Sequence, residues 1–261
     1  MNIDRATEMR RLSRLLQQDE DSLDYLSSLD GAGLQKVRNL IQNSLIDEFS
    51  PLFTKIAASG KLAPDSLSAL LARKVFGPTL TANIGYYTAT KKVVKMASMF
   101  DTEFLSDVAR EQVPERAQDM LKALPVDVMR GVTRNLLQNK DYHIMGDFTD
   151  YLPEDKVRTL MEEISDPTDH LRVSSYAQRK DRIAHLTISF DDDMLKDLIV
   201  AAFSHDDLLQ EVSLVIAAMQ ANDQKRMAKL TDEVNSEYRS RVKNLLDEKG
   251  IEGNFEAYFA A

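Results

Sequence analysis

The sequence predicts an all-α protein, and three observations predict it. Nine Gly and seven Pro in 261 residues are too few for the closely spaced turns of a β-sandwich or barrel. Apolar residues recur at spacings of three and four along most of the chain, whereas alternation at period two is scarce. Several segments also share one helix-start pattern, described below. With 43% hydrophobic and 29% charged residues the chain has ample apolar side chain for a sizeable core. Its length suits one large domain or two small ones.

Met9, Leu12, Leu15 and Leu16 fall on one face and predict a first amphipathic helix. Leu34, Val37, Leu40, Ile41, Leu45 and Ile46 repeat the pattern, and Pro51 marks a kink or a new first turn of a helix that runs to Ser59-Gly60. Pro64-Asp65-Ser66 opens a helix over residues 67–75, which Gly77-Pro78 separates from another over 79–86. Residues 185–190 form the best strand candidate, but the run is short and isolated and fits a helix end equally well. Two long helices are expected over residues 208–221 and 223–246. The second bears Met227, Leu230, Val234, Tyr238, Val242 and Leu245 at a helical period. The aromatic tail after Gly250 either folds back on the last helix or serves as a short docking peptide.

The helix-start pattern is an apolar residue, then Pro or Asp, then apolar positions at +5, +8, usually +9, and +12 or +13. It begins at Phe100, Leu124, Leu152 and Phe190, with a looser copy at Leu29 and a more compact variant at Val113. The leading apolar residue corresponds to the position before an N-cap, and acids nearby favour the positive end of the helix dipole. A helix of about a dozen residues cannot bury its stripe alone, so successive copies must share a core with their neighbours. The expected architecture is an α-solenoid-like superhelix of short stacked helices with a long C-terminal capping helix. Its parts are N-terminal helices over residues 1–60, a repeat region over 61–205, and C-terminal helices with the tail over 206–261.

Leu152-Pro-Glu-Asp-Lys-Val-Arg-Thr-Leu-Met and Val113-Pro-Glu-Arg-Ala-Gln-Asp-Met-Leu resemble helix repeats of the amino-terminal cytosolic domain of MgtE-type magnesium transporters. The similarity is best over residues 100–203. Phe76-Gly-Pro-Thr-Leu-Thr-Ala-Asn-Ile and Tyr142-His-Ile-Met-Gly-Asp-Phe resemble stand-alone bacterial helical-repeat proteins of that superfamily. The resemblance implies a right-handed helical superhelix with a regulatory or docking role. It does not imply transport by this polypeptide, which carries neither the paired nucleotide-sensing domains nor the channel of the transporters.

A net charge of −9 with no basic tail disfavours nucleic acid, whose affinity comes mainly from phosphate neutralisation. No apolar run is long enough for a membrane span or a signal segment, so a cytoplasmic location is expected. The absence of Cys removes disulfides, thiolate metal sites and cysteine nucleophiles. The four histidines form no zinc-binding pair, and no phosphate-binding Gly loop or nucleophile elbow occurs.

Three constellations remain. Asp191, Asp192 and Asp193, with Asp206 and Asp207, supply oxygen ligands of the type that Mg2+ takes, although their spacing is not an EF-hand and helix capping explains them too. Lys91, Lys92 and Lys95 form a locally basic stretch that suits an acidic partner surface. Tyr142, His143 and Asp147 are the sole acid/base candidates, and Tyr142 and His143 also suit a partner contact. Tyr238 lies on a stripe that suits a homodimer through the C-terminal helix. The reading is a non-enzymatic docking or regulatory protein, without a cofactor, that binds another protein. The alternative is a Mg2+ or small-ligand sensor with weak cation binding.

Overall fold

The computed structural model describes residues 5–251 and 253–260, save the side chains of Thr7, Leu45, Asp206 and Lys249. Every regular element among them is helical, and no helix is long and apolar enough to cross a membrane. The chain divides into two compact units, Met1–Glu163 and Ile164–Ala261. That division falls inside the stretch that the sequence presents as one repeat region.

Unit 1 contains α1 (Arg5–Leu16), a 3-10 segment (Glu20–Leu26), α2 (Gly31–Glu48), α3 (Ser50–Gly60) and α4 (Asp65–Leu71). A π-helical turn (Ala72–Phe76) leads into α5 (Gly77–Gly85). There follow α6 (Thr90–Ala97), α7 (Thr102–Arg110), α8 (Gln118–Ala123), α9 (Val126–Gln138), α10 (Tyr142–Tyr151) and α11 (Glu154–Met161). Unit 2 contains α12 (Pro167–Tyr176), α13 (Lys180–Thr187), α14 (Asp192–Phe203), α15 (Asp206–Ala217), α16 (Ala221–Val234), α17 (Tyr238–Lys249) and α18 (Glu256–Phe259). The strand candidate at 185–190 is therefore the last turn of α13 and its exit.

The four full helix-start patterns and the looser copy at Leu29 all start helices. In each, the helix begins two residues after the leading apolar residue: Leu29 before α2, Phe100 before α7, Leu124 before α9, Leu152 before α11 and Phe190 before α14. The residue between is the cap. Asp30, Asp101 and Asp191 accept hydrogen bonds from the backbone N–H of Gly33, Phe104 and Met194 at 2.7, 2.8 and 2.9 Å. Pro125 and Pro153 hold an extended backbone instead. The apolar +5 position is then the fourth helical residue, so the pattern has the spacing of a hydrophobic staple. The compact variant at Val113 differs. It forms a turn, closed by Arg116 and Ala117 N–H on the Val113 carbonyl, and α8 starts only at Gln118.

Helices two apart in the chain pack together. In unit 1 α3 contacts α5, α5 contacts α7, α7 contacts α9 and α9 contacts α11, while α4 contacts α6 and α6 contacts α8. In unit 2 α12, α14, α16 and α18 form one such series and α13, α15 and α17 another. A second regularity links helices three apart, because a cation from the later helix caps the C-terminal carbonyls of the earlier one. Lys92 Nζ on α6 donates to Gly60 O and Ala63 O beyond α3 at 2.6 and 2.8 Å. Lys156 Nζ on α11 donates to Leu121, Lys122 and Leu124 carbonyls at the end of α8, at 2.6–3.0 Å. Arg226 on α16 reaches Ile188 O and Phe190 O after α13, and Arg241 on α17 reaches Phe203 O at the end of α14. Helix C-termini carry orphan carbonyls and partial negative charge, and a cation satisfies both.

The first two helices pack on each other through Met9, Leu12 and Leu34, with Leu23 of the 3-10 segment. They are tied to the rest of unit 1 by charge. Arg11 on α1 pairs with Asp147 and Asp150 on α10 at 2.7 and 2.9 Å, and also with Glu8 at 3.2 Å. Glu8 is fully buried and accepts from Arg38 Nε on α2 at 2.7 Å. A buried carboxylate is tolerable only with such counter-charges.

Unit 2 departs from expectation at its end. The long helix expected over 223–246 is two helices, α16 and α17, with Asn235 in an extended conformation between them. Its side chain accepts from the N–H of Glu237 at 2.9 Å, a local turn that competes with continuation of the helix. The chain then returns. Gly250 ends α17 in the left-handed region at φ 62°, and the tail folds back onto α16, the first part of the helix expected over 223–246, with Arg239 of α17 donating to the Tyr258 carbonyl at 3.2 Å. There Tyr258 is fully buried with its hydroxyl donating to Thr231, and Gln224 bridges Asn254 O and Tyr258 N–H.

Candidate docking surface

Helices α3 to α5 carry a local inversion of the usual packing. Between residues 54 and 100 the fully buried residues are all alanine: Ala57, Ala69, Ala72, Ala82 and Ala97. The leucines of the same stretch point outward, whereas Ile56, Phe76, Ile84, Val93 and Val94 are half-buried. Leu62, in the turn between α3 and α4, is 94% exposed, and Leu67, Leu70, Leu71, Val75 and Leu80 are exposed along α4, the π-helical turn and α5. Small residues inward let helix axes approach closely, and the leucines must then face away.

The outward set has a register. Ala69 and Ala72 turn inward, whereas Leu67, Leu70, Leu71 and Lys74 are exposed at i, i+3, i+4 and i+7, one stripe of a helix. The π-helical turn keeps the chain helical past Leu71 and ends at Gly77, whose φ of 69° favours Gly. Lys92 anchors the N-terminal side of this surface: besides the two carbonyls it lies 3.5 Å from Asp65, the first residue of α4.

The surface is also basic. From Phe49 to Phe100 the sequence holds seven Lys and Arg and a single acid, Asp65, a segment of net +6 within a chain of net −9. Lys55, Lys61, Arg73 and Lys74 are exposed. Sequence reasoning found Lys91, Lys92 and Lys95 but missed the breadth of the segment; a charge count over a window of some fifty residues shows it. The structure separates the three lysines. Lys92 is engaged in capping, Lys95 is 3.5 Å from Asp65 with its side chain 57% exposed, and Lys91 is exposed at the start of α6. The sequence places Leu67, Leu70 and Leu71 on a helix, but periodicity does not say which side of a helix with both Ala and Leu faces is buried.

The other candidates fall elsewhere. Asp191 caps α14, Asp192 pairs with Arg226 at 2.6 Å and Asp193 is exposed beside them. Asp207 pairs with Arg172, and the Asp206 side chain lies outside the described residues. Among the described residues no three His, Asp or Glu side chains gather as a metal site. Tyr142 and His143 are half-buried on the first turn of α10. Burial, then the nearby Arg14, holds the His143 imidazole below its ordinary value, opposed by Asp141. Asp147, one turn on, has its carboxylate against Arg11, and its pKa is raised by burial. An acid already ion-paired is poorly placed to orient His143 for proton transfer. Tyr238 stacks on Phe203 within unit 2, ring centroids 3.7 Å apart, and Met227, Leu230 and Val242 of the same stripe are buried there. The stripe proposed for a homodimer is thus largely covered by the chain itself.

Searches against family models, curated proteins and solved structures found no significant match to this chain.

Proposed function

We propose that this chain is a non-enzymatic docking protein: short helices stacked in a solenoid-like superhelix present the outer face of α3–α5 to another protein. The observation that carries this reading is the inverted packing, alanines inside and leucines outside, confined to one segment. Isolated exposed leucines are ordinary, but a register of them on one helix with Leu62, Val75 and Leu80 nearby is the composition of an interaction site. Covering a half-exposed Leu stabilises a complex by about 1 kcal/mol, so several together suffice for a specific contact. Asp191 serves as a cap and Asp192 and Asp207 as ion-pair partners, which favours docking over cation sensing.

A photo-crosslinking residue at Leu70, introduced in the protein's own cell, tests the reading. A discrete protein adduct is expected from Leu70 and not from the exposed Lys225 on α16. Equal labelling at both positions, or none at Leu70, removes the proposal.

A further inference from the structure

We infer that the occupant of the α3–α5 face is an acidic amphipathic helix of a partner protein. The inference rests on the docking reading and adds the chemistry of the partner. Two independent features meet on this face. The stripe Leu67, Leu70, Leu71 and Lys74 has the i, i+3, i+4, i+7 register of a helix–helix seam, which an apolar stripe of the same period fills. In the same segment Lys61, Lys74 and Lys91 are exposed and Arg73 is paired with Asp101 at 3.1 Å, with Asp65 as the sole acid between residues 49 and 100. Acidic flanks on the incoming helix complement this rim.

Charge also selects among occupants. A symmetric contact between two copies brings two segments of net +6 together, and like charges disfavour it. An anionic bilayer is an extended plane of charge. Its charge carries no apolar stripe of helical period to meet Leu67, Leu70 and Leu71. A single amphipathic helix supplies both the apolar stripe and the acidic flanks that this face calls for.

The test uses the full chain and two synthetic peptides of about 20 residues, long enough for a helix of about 30 Å. Both carry Leu at i, i+3, i+4 and i+7; one has Glu at the flanking positions and its twin has Lys. Fluorescence anisotropy should show the Glu peptide bound at least about tenfold more tightly than the Lys twin, with the difference shrinking as salt rises. Leu70→Ser and Lys74→Glu should each weaken the Glu peptide about tenfold or more, while circular dichroism melts show both variants folded. Equal affinity for the twins, binding of neither, or a Glu-peptide affinity that ignores both substitutions overturns the proposal. So does Leu70-dependent binding to phosphatidylserine-containing vesicles without peptide binding, or a Leu70-dependent dimer in sedimentation equilibrium. If a Leu70 crosslink forms in cells and the peptides fail, docking stands and only the acidic helix falls.

Discussion

The stretch from α3 to α6 and the helices of unit 2 are both built from short amphipathic helices, yet they bury opposite kinds of side chain. In unit 2 the interior holds Leu195, Leu198, Ile199, Phe203, Leu208, Leu209 and Ile216, and Val200 is the one exposed large apolar residue among those described. In α3–α6 the fully buried positions beyond Phe53 are alanines, and the leucines face out. A helix with a large apolar face and a small one can pack either way. Closing on alanine gives less apolar burial, so the segment gains less stability from its packing and leaves apolar surface exposed. The difference teaches that an amphipathic pattern locates a helix without deciding which of two weakly polar faces the fold will bury.

The comparison can be broken by substitution. The largest effect is expected where unit 1 relies on charge: Arg11→Met leaves Glu8, Asp147 and Asp150 short of a counter-charge and should cost about 3–5 kcal/mol in urea denaturation. A loss under about 1 kcal/mol would show that the network contributes little. Leu195→Ala, at a fully buried site in unit 2, should cost about 2–5 kcal/mol. Its counterpart Leu70→Ala, at a residue 53% exposed, should change the free protein's stability by no more than about 0.5 kcal/mol. Similar losses for the two leucines would refute the inverted packing outright. Ala69→Leu adds volume to the tight interior beside it and should cost about 1–3 kcal/mol, so that a leucine nearly neutral at position 70 is costly at its neighbour 69.

A smaller effect follows from hydrogen bonding and titration. The Tyr86 hydroxyl accepts from the Val113 N–H at 2.7 Å, and burial pushes its pKa up to about 12. Tyr86→Phe leaves that N–H without its acceptor and should cost about 1–3 kcal/mol. In unit 2 burial lowers the His170 pKa, and its Nε2 lies 2.8 Å from the Ile164 carbonyl, as a neutral imidazole donating to it would. The unfolded state, titrating near 6.5, binds the proton first as pH falls. The contribution of His170 is therefore complete above pH 6.5 and is lost as pH drops towards its folded pKa. Urea midpoints measured across this range should decline on acidification in the parent and less in His170→Asn.

Much of the fold is legible in the sequence because its signals are local. Leu29, Phe100, Leu124, Leu152 and Phe190 each announce a helix two residues on, since N-caps, staples and dipoles act within one turn. The variant at Val113 and the break at Asn235 show where that reasoning fails. At Asn235 a side-chain-to-backbone bond outweighs an apolar period that continues past it. The candidate site was less legible. Lys91, Lys92 and Lys95 mark part of the basic segment, but the exposure of Leu62, Leu67 and Leu70 has no sequence signature, because leucine at helical spacing reads as core.

By itself, the sequence determined the all-helical class, the helix starts, the net charge and its concentration of bases between residues 49 and 100. Tertiary structure decided what chain-local forces cannot. It chose which face of α4 is inside, and it brought Arg11 to Asp147 and Asp150 across more than 130 positions. It also placed Lys92, Lys156, Arg226 and Arg241 on carbonyls of helices three elements earlier. Capping within a turn is set by neighbours in sequence, whereas burial and ion pairing depend on which distant helix arrives, and only the folded packing supplies that.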